Sequence, residues 1–416
     1  MSELFLLRHR EIQGLNQLKT YVADGGFTTW KNVVTSVKPQ DVVQQVKDSG
    51  LRGRGGAGFP TGVKWSFLPN NIWPHYVVAN ADESEPGTFK DREILESNPY
   101  QFIEGLMIAS FAVEAHDSYV YFRGEFAQIA HKFEERLAEL KEKGYLGDKL
   151  FGSSYSLNIH VHLGAGAYIC GEETALLESI EGKLGQPRLR PPFPAVKGLF
   201  DKPTVINNVE TLANLPIILG KGVAHFRSLG TEKSPGTKIF SLSGRVKNPG
   251  NYELPLGTTF RELIYKYGGG ILDDAKVKAI MPAGASSSLI PATDAALDTP
   301  MDYESVPALG AQLGSASVII LDETVNISDL VESTVHFFKH ESCGKCTPCR
   351  EGTYWMSHIT ERINHGTASK EDIELLKTVA SQMQNKCFCA LGEFSITAVL
   401  SGIQHFRADF EARVEN

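Results

Sequence analysis

Cys343, Cys346 and Cys349 stand in the run Glu341-Ser-Cys-Gly-Lys-Cys-Thr-Pro-Cys-Arg350, and a second short run, Cys387-Phe-Cys389-Ala-Leu-Gly392, follows on the C-terminal side. Three thiols at C-x2-C-x2-C spacing constrain the fold more than any other feature of the chain. A tetrahedral zinc usually takes its cysteines as pairs, so this spacing suits it poorly. It suits three corners of an iron–sulfur cube, with a fourth thiolate delivered from elsewhere in the fold. Cys389 and Cys387 both stand where that fourth thiolate is needed. The competing reading is a scaffold stapled by structural zinc.

The rest of the composition is that of a soluble, multidomain protein. With 416 residues, two to four domains are expected. Hydrophobic residues make up 42% and charged residues 22%, and no apolar run approaches the roughly 18 residues of a membrane-spanning helix. The first ten residues place a short apolar stretch before basic residues, the wrong order and length for a secretory signal. Six cysteines, three of them crowded together, do not make a disulfide scaffold, so a reducing cytoplasm is expected. The net charge of −8 argues against nucleic acid as a partner.

Hydrophobic periodicity divides the chain. Residues up to about 50 read as helical, and a glycine-rich stretch follows, with Gly53, Gly55, Gly56 and Gly58. Strands are expected over His75–Asn80, Ser118–Arg123 and Leu157–Leu163, with Asn98 capping a helix that opens on Pro99, an amphipathic helix near 125–143 and another starting near Gly171. Strands alternating with helices imply a layered, largely parallel α/β sheet. Beyond Thr237, short strands at Ile239–Gly244, Asn251–Leu254, Val277–Met281 and Ser317–Leu321 surround one helix over Thr258–Tyr267, the pattern of a small α+β module such as a β-grasp. From Ser328 the signal is helical. Val331, Val335 and Phe338 share a face, as do Ile373, Leu376 and Met383, and Val399, Ile403, Phe406 and Phe410 follow at steps of four, three and four. Gly366 and Thr367 mark a break, and Ser369 a new helix start. Four helices with cysteines in two of the connections make a bundle that holds a cluster.

Four stretches bear chemistry besides the cysteines. The glycine run removes β-carbons, so its amides can close on an anion such as a phosphate, with Arg52, Arg54 and Lys64 adding positive charge. It precedes the first strand, unlike the usual dinucleotide fingerprint. Asn80, Asp82, Glu83 and Glu85 lie at the carboxyl end of a parallel strand, where ligands bind in open α/β sheets. Gly164 to Thr174 repeats the strand–glycine–helix arrangement, with Glu172 and Glu173 in the helix's first turn and Cys170 as a small buried side chain. Arg188-Leu-Arg190-Pro-Pro-Phe193-Pro and Asn207-Asn208-Val-Glu-Thr211 pair a rigid proline turn with a polar helix opening.

Taken together, the motifs at 53–65, 80–83, 166–176, 191–194, 207–211 and 341–350 resemble those of the NADH-binding flavoprotein subunit of respiratory complex I, the proton-pumping NADH:quinone oxidoreductase. The resemblance covers nearly the whole chain. It implies four parts: an N-terminal helical segment with the glycine loop (1–60), a Rossmann-like FMN and NADH domain (61–236), a ubiquitin-like β-grasp (SLBB) domain (237–325) and a helical bundle with a [4Fe–4S] cluster (326–416). By motif, FMN would be held by Gly53, Gly55, Gly56, Lys64, Asn80, Asp82, Glu83, Gly171, Glu172, Asn207, Asn208 and Thr211. NADH would meet Phe59, Phe67, Glu85, Tyr168, Glu173, Arg190 and Phe193, with Phe59 and Phe67 stacking on adenine. The cluster ligands would be Cys343, Cys346, Cys349 and Cys389. Position 190 departs from the family, which commonly has lysine there.

The activity so implied is that of an NADH dehydrogenase. NADH gives up two electrons as a hydride, a cluster accepts one at a time, and a flavin converts between them. No side chain is expected to act as an acid or base, so no catalytic residue is named; Glu85 and Glu173 are expected to modulate nucleotide binding or product release. The implied partners are a thioredoxin-fold [2Fe–2S] subunit and a large iron–sulfur subunit, at the tip of a peripheral arm on the cytoplasmic side of a bacterial inner membrane, without direct membrane insertion. The closest alternative is the diaphorase subunit of a soluble NAD-reducing hydrogenase, or the flavin subunit of an NAD-dependent formate dehydrogenase. Larger relatives of that kind add further cluster domains, for which no cysteines are left here.

Overall fold

In the computed structural model, which describes residues 3–414, the chain folds as two units. The first comprises the chain up to Ser84, Phe89–Ile239 and Glu253–Gly257, and the second Glu85–Thr88, Phe240–Tyr252 and everything from Thr258.

The first unit opens with three helices, α1 (Leu18–Ala23), α2 (Thr28–Ser36) and α3 (Pro39–Ser49), followed by the glycine loop and a short α4 (Thr61–Trp65). Four parallel strands then form in alternation with helices. They are β1 (Tyr76–Ala81), β2 (Asp117–Phe122), β3 (Asn158–Leu163) and β4 (Thr204–Asn208), in spatial order β3-β2-β1-β4. The intervening helices are α5 (Lys90–Ser97), α6 (Pro99–Ala112), α7 (Ala127–Glu142) and α8 (Glu173–Ile180); α9 (Val209–Ala213), α10 (Leu215–Lys221) and α11 (Val223–Arg227) follow β4. Strand order reverses at the β1/β4 boundary, which makes the carboxyl ends of those two strands the topological switch point of the sheet.

All fourteen residues of α6 are buried. It is apolar on nearly every side, as a helix enclosed by its own unit must be. The expected Asn98 cap is not made. Its side chain instead donates to Leu6 O and Gln101 Oε1, so the amide tethers the N-terminal segment rather than the helix end. That segment is also held by Glu253, whose buried carboxylate accepts from the amides of Phe5, Leu6 and Leu7 and from Thr237 Oγ1.

The second unit contains a five-stranded sheet in the order β6-β5-β9-β7-β8, built from β5 (Thr237–Gly244), β6 (Gly250–Pro255), β7 (Val277–Ala285), β8 (Ile290–Pro291) and β9 (Ser317–Asp322), with α12 (Asp294–Leu297) between β8 and β9. The residues Thr237–Ile239 and Glu253–Pro255 of its first two strands are counted with the first unit. β5 pairs parallel with β9, and β7 runs antiparallel to β9 and to β8, a mixed β-grasp sheet. The helix expected over Thr258–Tyr267 is instead a wider π-turn over Glu262–Tyr267. Gly268 donates back five residues to Leu263 O, and three consecutive glycines, Gly268–Gly270, end the helical path there.

The C-terminal bundle consists of α13 (Ile327–Glu341), α14 (Thr347–Asn364), α15 (Lys370–Met383) and α16 (Ala390–Glu411). Val331, Val335, Met356, Ile363, Ile373, Leu376, Val399 and Phe410 fill its core. Ser369 makes a full capping box with Asp372, as a serine before a fresh helix does. α16 kinks at Phe406, whose backbone leaves the helical region, so that residue is only partly buried and falls off the expected stripe. Among the described residues no helix is long and apolar enough to cross a membrane.

Candidate functional site

The first site assembles at the switch point. Register places Ala79 beside Asn207 and Asn80 beside Asn208, so Asn80–Glu83 and Asn207–Thr211 leave the sheet side by side. Three further segments close on this point. Gly171 belongs to the turn before α8; its carbonyl accepts from Asn80 Nδ2 at 2.9 Å, and a β-carbon on it would lie 3.2 Å from Asp82 Oδ2. Lys64, on α4, reaches Ile206 O at 3.0 Å and Glu173 Oε2 at 2.7 Å. Trp65 donates from Nε1 to Asn207 Oδ1 at 2.8 Å.

The glycine loop is the remaining wall. It closes on itself through Gly53 N to Phe59 O (2.9 Å) and Arg52 Nε to Gly58 O (2.6 Å), with Gly58 in the left-handed region that favours glycine. A β-carbon at Gly55 would sit 2.7 Å from Asn208 Cβ, so only glycine permits that approach, whereas one at Gly56 would meet nothing within 4 Å. The amide of Arg54 donates to Thr211 Oγ1 at 2.8 Å.

Several of the expected cofactor residues are committed to the protein itself. Glu83 is buried and accepts from the amides of Asp91 and Arg92 at the start of α5; burial and the neighbouring Asp91 charge push its carboxyl up to about 7. Asn208 caps α9 through Glu210 N and donates to Asp91 Oδ2 at 2.6 Å. Glu172 caps α8 by accepting from Thr174 N and Ala175 N. Its other oxygen is buried without a hydrogen bond, the nearest cation being Arg190 Nη2 at 3.6 Å.

Of the residues expected to meet NADH, Phe59 and Phe67 are about half exposed, with ring centroids 6.1 Å apart, and Phe193 is exposed. Glu173 lies between Lys64 and Arg190, the latter at 3.4 Å. Tyr168 opens the turn that ends at Gly171. Glu85 belongs to the second unit, where Ser286 donates to its carboxylate from both N and Oγ. Sequence reasoning gave no role to Trp65 and Glu210, although both lie inside its motifs at 53–65 and 207–211, and it missed Lys90, Asp91 and Lys238. A lysine next to an aspartate carries no pattern that distinguishes a site from a solvated surface.

The second site lies wholly in the bundle. Cys343 follows α13, Cys346 is the N-cap of α14, Cys349 is in that helix's first turn, and Cys389 is the N-cap of α16. Both helix N-termini favour negative charge. Gly344, at φ +71°, makes the turn between the first two thiols, and Arg350 Nη1 donates to its carbonyl at 2.7 Å. Phe388 N approaches Cys346 Sγ at 3.5 Å, and Ser342 Oγ stands 3.3 Å from Cys349 Sγ. The Cys349 thiol is pushed up to about 12 by burial, a rise to which the neighbouring Cys346, Cys389 and Cys343 add. A thiol buried beside others in this way suits a cationic centre, which favours its deprotonated form. Cys387 is half-buried; its Sγ donates to Met383 O at 3.6 Å and backs onto Gly392, where a β-carbon would lie only 2.4 Å away. Among the described residues no group of three or more His, Cys, Asp or Glu side chains is placed to hold a single metal ion.

A glycine loop beside a polar cradle at an α/β switch point, together with four cysteines at the connections of one helical bundle, is compatible with an oxidoreductase that carries a flavin and an iron–sulfur cluster. Residues 46–217 match the Nuo51 FMN-binding domain, 239–285 the SLBB domain and 329–413 the NADH-ubiquinone oxidoreductase-F iron-sulfur binding region. The chain is 48% identical over 416 residues to the second F subunit of NADH-quinone oxidoreductase in Rhizobium meliloti, covering 100% of this chain and 98% of that one. It is 51% identical over 395 residues to the Mycobacterium tuberculosis F subunit (94% and 88% covered) and 43% identical over 403 residues to that of Escherichia coli (96% and 90%). Among solved structures, an H2-reduced NAD+-reducing [NiFe]-hydrogenase chain matches with a TM-score of 0.83 at 38% identity; the match covers 91% of this chain and 63% of that one. The chain belongs to the family of NADH-quinone oxidoreductase F subunits. It is an NADH dehydrogenase flavoprotein whose cofactors are FMN and a [4Fe–4S] cluster.

Proposed function

We propose that this chain admits electrons to an NADH-quinone oxidoreductase, with FMN at the β1/β4 switch point and the cluster on Cys343, Cys346, Cys349 and Cys389. The observation that carries this reading is the convergence of the glycine loop, Asn80–Asp82, Gly171 and Asn207–Thr211 on one end of one sheet. Bound there, the flavin supplies the conversion of a hydride into single electrons.

The chain's own residues bind and orient. Gly55 and Gly56 provide the close backbone approach for the phosphate, and the buried donors Arg54 Nε and Nη1, which have no hydrogen-bond partner, mark a place prepared for negative charge. Lys64, bridging Ile206 O and Glu173, couples the flavin side to the nucleotide side. The exposed rings of Phe59, Phe67 and Phe193 offer flat faces to adenine, Tyr168 lines the same approach, and Arg190 offers a fork to the phosphates. Glu173 sets the negative charge that the nucleotide meets. At the cluster, the contacts of Cys387 with Met383 O and Gly392 support Cys389, the N-cap of α16, as the fourth ligand.

The neighbours in this reading are a thioredoxin-fold [2Fe–2S] subunit and a large iron–sulfur subunit, in a peripheral arm on the cytoplasmic side of the membrane. The likeness to the hydrogenase supports a diaphorase reading of the same chemistry, but the chain is 43–51% identical to the F subunits and 38% identical to the hydrogenase chain, which favours the respiratory assignment.

Electron paramagnetic resonance on the complex reduced with NADH tests the ligand set. Cys389→Ala is expected to lose the signal of this cluster while keeping its FMN, and Cys387→Ala to keep both. The reverse result would move the fourth ligand to Cys387. Absence of flavin from the wild-type chain would sink the whole reading.

A further inference from the structure

Beneath the glycine loop lies a cluster of charged side chains that a soluble protein buries only for a reason. Arg54, Lys90, Lys238 and Glu210 are each 0% exposed, and Asp91 is 3% exposed. Lys90 Nζ sits 2.8 Å from both Asp91 Oδ1 and Glu210 Oε2, and Lys238 Nζ 3.7 Å from Glu210 Oε2. The remaining groups are fixed by the backbone. Glu210 Oε1 accepts from Ile239 N at 2.9 Å, and Arg54 Nη2 donates to Pro235 O at 2.8 Å. Three cations are thus set against Asp91 and Glu210, with Glu83, held on the amides of α5, a third acid in reach of Lys90. Burying charges is costly unless each is paired and hydrogen-bonded.

The cluster touches the loop at one residue. Lys238 Nζ donates to Arg54 O at 2.7 Å, while Arg54 N donates to Thr211 Oγ1, so the peptide units on both sides of Arg54 are clamped immediately before Gly55 and Gly56. Arg54 Nε and Nη1 are buried and without hydrogen-bond partners.

We propose that Lys238 and Arg54 form the buried back wall of the flavin's phosphate subsite, with Lys238 a positioning residue that sets the glycine loop through the Arg54 carbonyl and supplies part of the charge the phosphate answers. This rests on the reading of the glycine loop as the FMN site. Burial pushes the Lys238 amine down to about 7, an effect that Glu210 opposes while Lys90 and Arg54 reinforce it. A dianion bound nearby would favour the charged amine.

Comparing FMN with riboflavin, which lacks the phosphate, separates this role from a general one in folding. Flavin is removed from the full chain, and both ligands are titrated back by fluorescence quenching. Lys238→Met is expected to lower the FMN-to-riboflavin affinity ratio by about tenfold, the worth of one strong charged contact, with riboflavin affinity little changed. Lys238→Gln, which keeps a donor for Arg54 O without the charge, is expected to lower it by several-fold, and Lys238→Arg to keep it near the wild-type value. Should Lys238→Met fail to fold, Lys238→Gln decides. An unchanged ratio in the folded variants overturns the proposal, whereas a wild-type chain that does not prefer FMN to riboflavin overturns the reading of the loop itself.

Discussion

Gly105 lies in the middle of α6, where helix propensity alone says alanine is better by about 1 kcal/mol. The structure says the opposite. A β-carbon there would lie 1.9 Å from Leu212 O and 2.6 Å from Leu212 C, both main-chain atoms of α9. A carbon and a carbonyl oxygen rest at about 3.3 Å, so one helix must yield by roughly 1.4 Å. No side-chain rotation relieves a backbone clash, which places the cost at the upper end of overpacking, about 3 kcal/mol. After the propensity gain, Gly105→Ala is expected to lose about 2 kcal/mol. The displaced helix carries Glu210 and Thr211, so FMN affinity falls with stability. Urea unfolding followed by circular dichroism, with and without FMN, measures the first effect, and fluorescence titration the second. A variant as stable as the wild type, or more so, would refute the claim that α6 and α9 are in backbone contact.

Two further tests follow from the geometry. The Glu83 carboxyl titrates in the folded chain near 7 rather than at its ordinary value of about 4.5, because of burial and the adjacent Asp91 charge. The folded form therefore holds the proton more tightly, and the wild type loses stability as the pH rises from about 4.5 to 7; Glu83→Gln is expected to flatten that slope, as denaturant midpoints at about pH 5 and about pH 8 would show. In the bundle, Ser369→Ala removes the capping box of α15 and is expected to lose about 1 kcal/mol in urea unfolding.

What the sequence disclosed depended on periodicity. β1, β2 and β3 were legible because their apolar residues run long enough to show, and the bundle because Val331, Val335, Ile373 and Leu376 repeat at helical spacing. β4 was hidden. Thr204–Asn208 has five residues and ends in two asparagines, so Asn207 and Asn208 read as a helix opening when they also close a strand. The kink at Phe406 and the π-turn at Glu262–Tyr267 left the apolar spacing intact and so could not be seen. Lys90, Asp91, Glu210 and Lys238 failed for a different reason. A charged residue in a sequence is expected to face water, and only the three-dimensional pairing of these four shows that they do not.

That failure bears on how the site is built. A glycine loop alone is a weak anchor, since each glycine adds chain entropy that must be overcome on ordering. Here the loop is held at Gly53 by Phe59 O, at Arg54 by Thr211 and Lys238, and at Gly55 by contact with Asn208. Three of those four anchors come from the end of β4, from α9 and from the start of β5, far along the chain from the glycines. The motif at the glycines is therefore the flexible half of the phosphate site, and the rigid half is carried by Asn208 and Thr211 of a second motif and by Lys238, which has none. For the same reason, a substitution at Lys238 is expected to reach the flavin while leaving every recognisable signature of the chain intact.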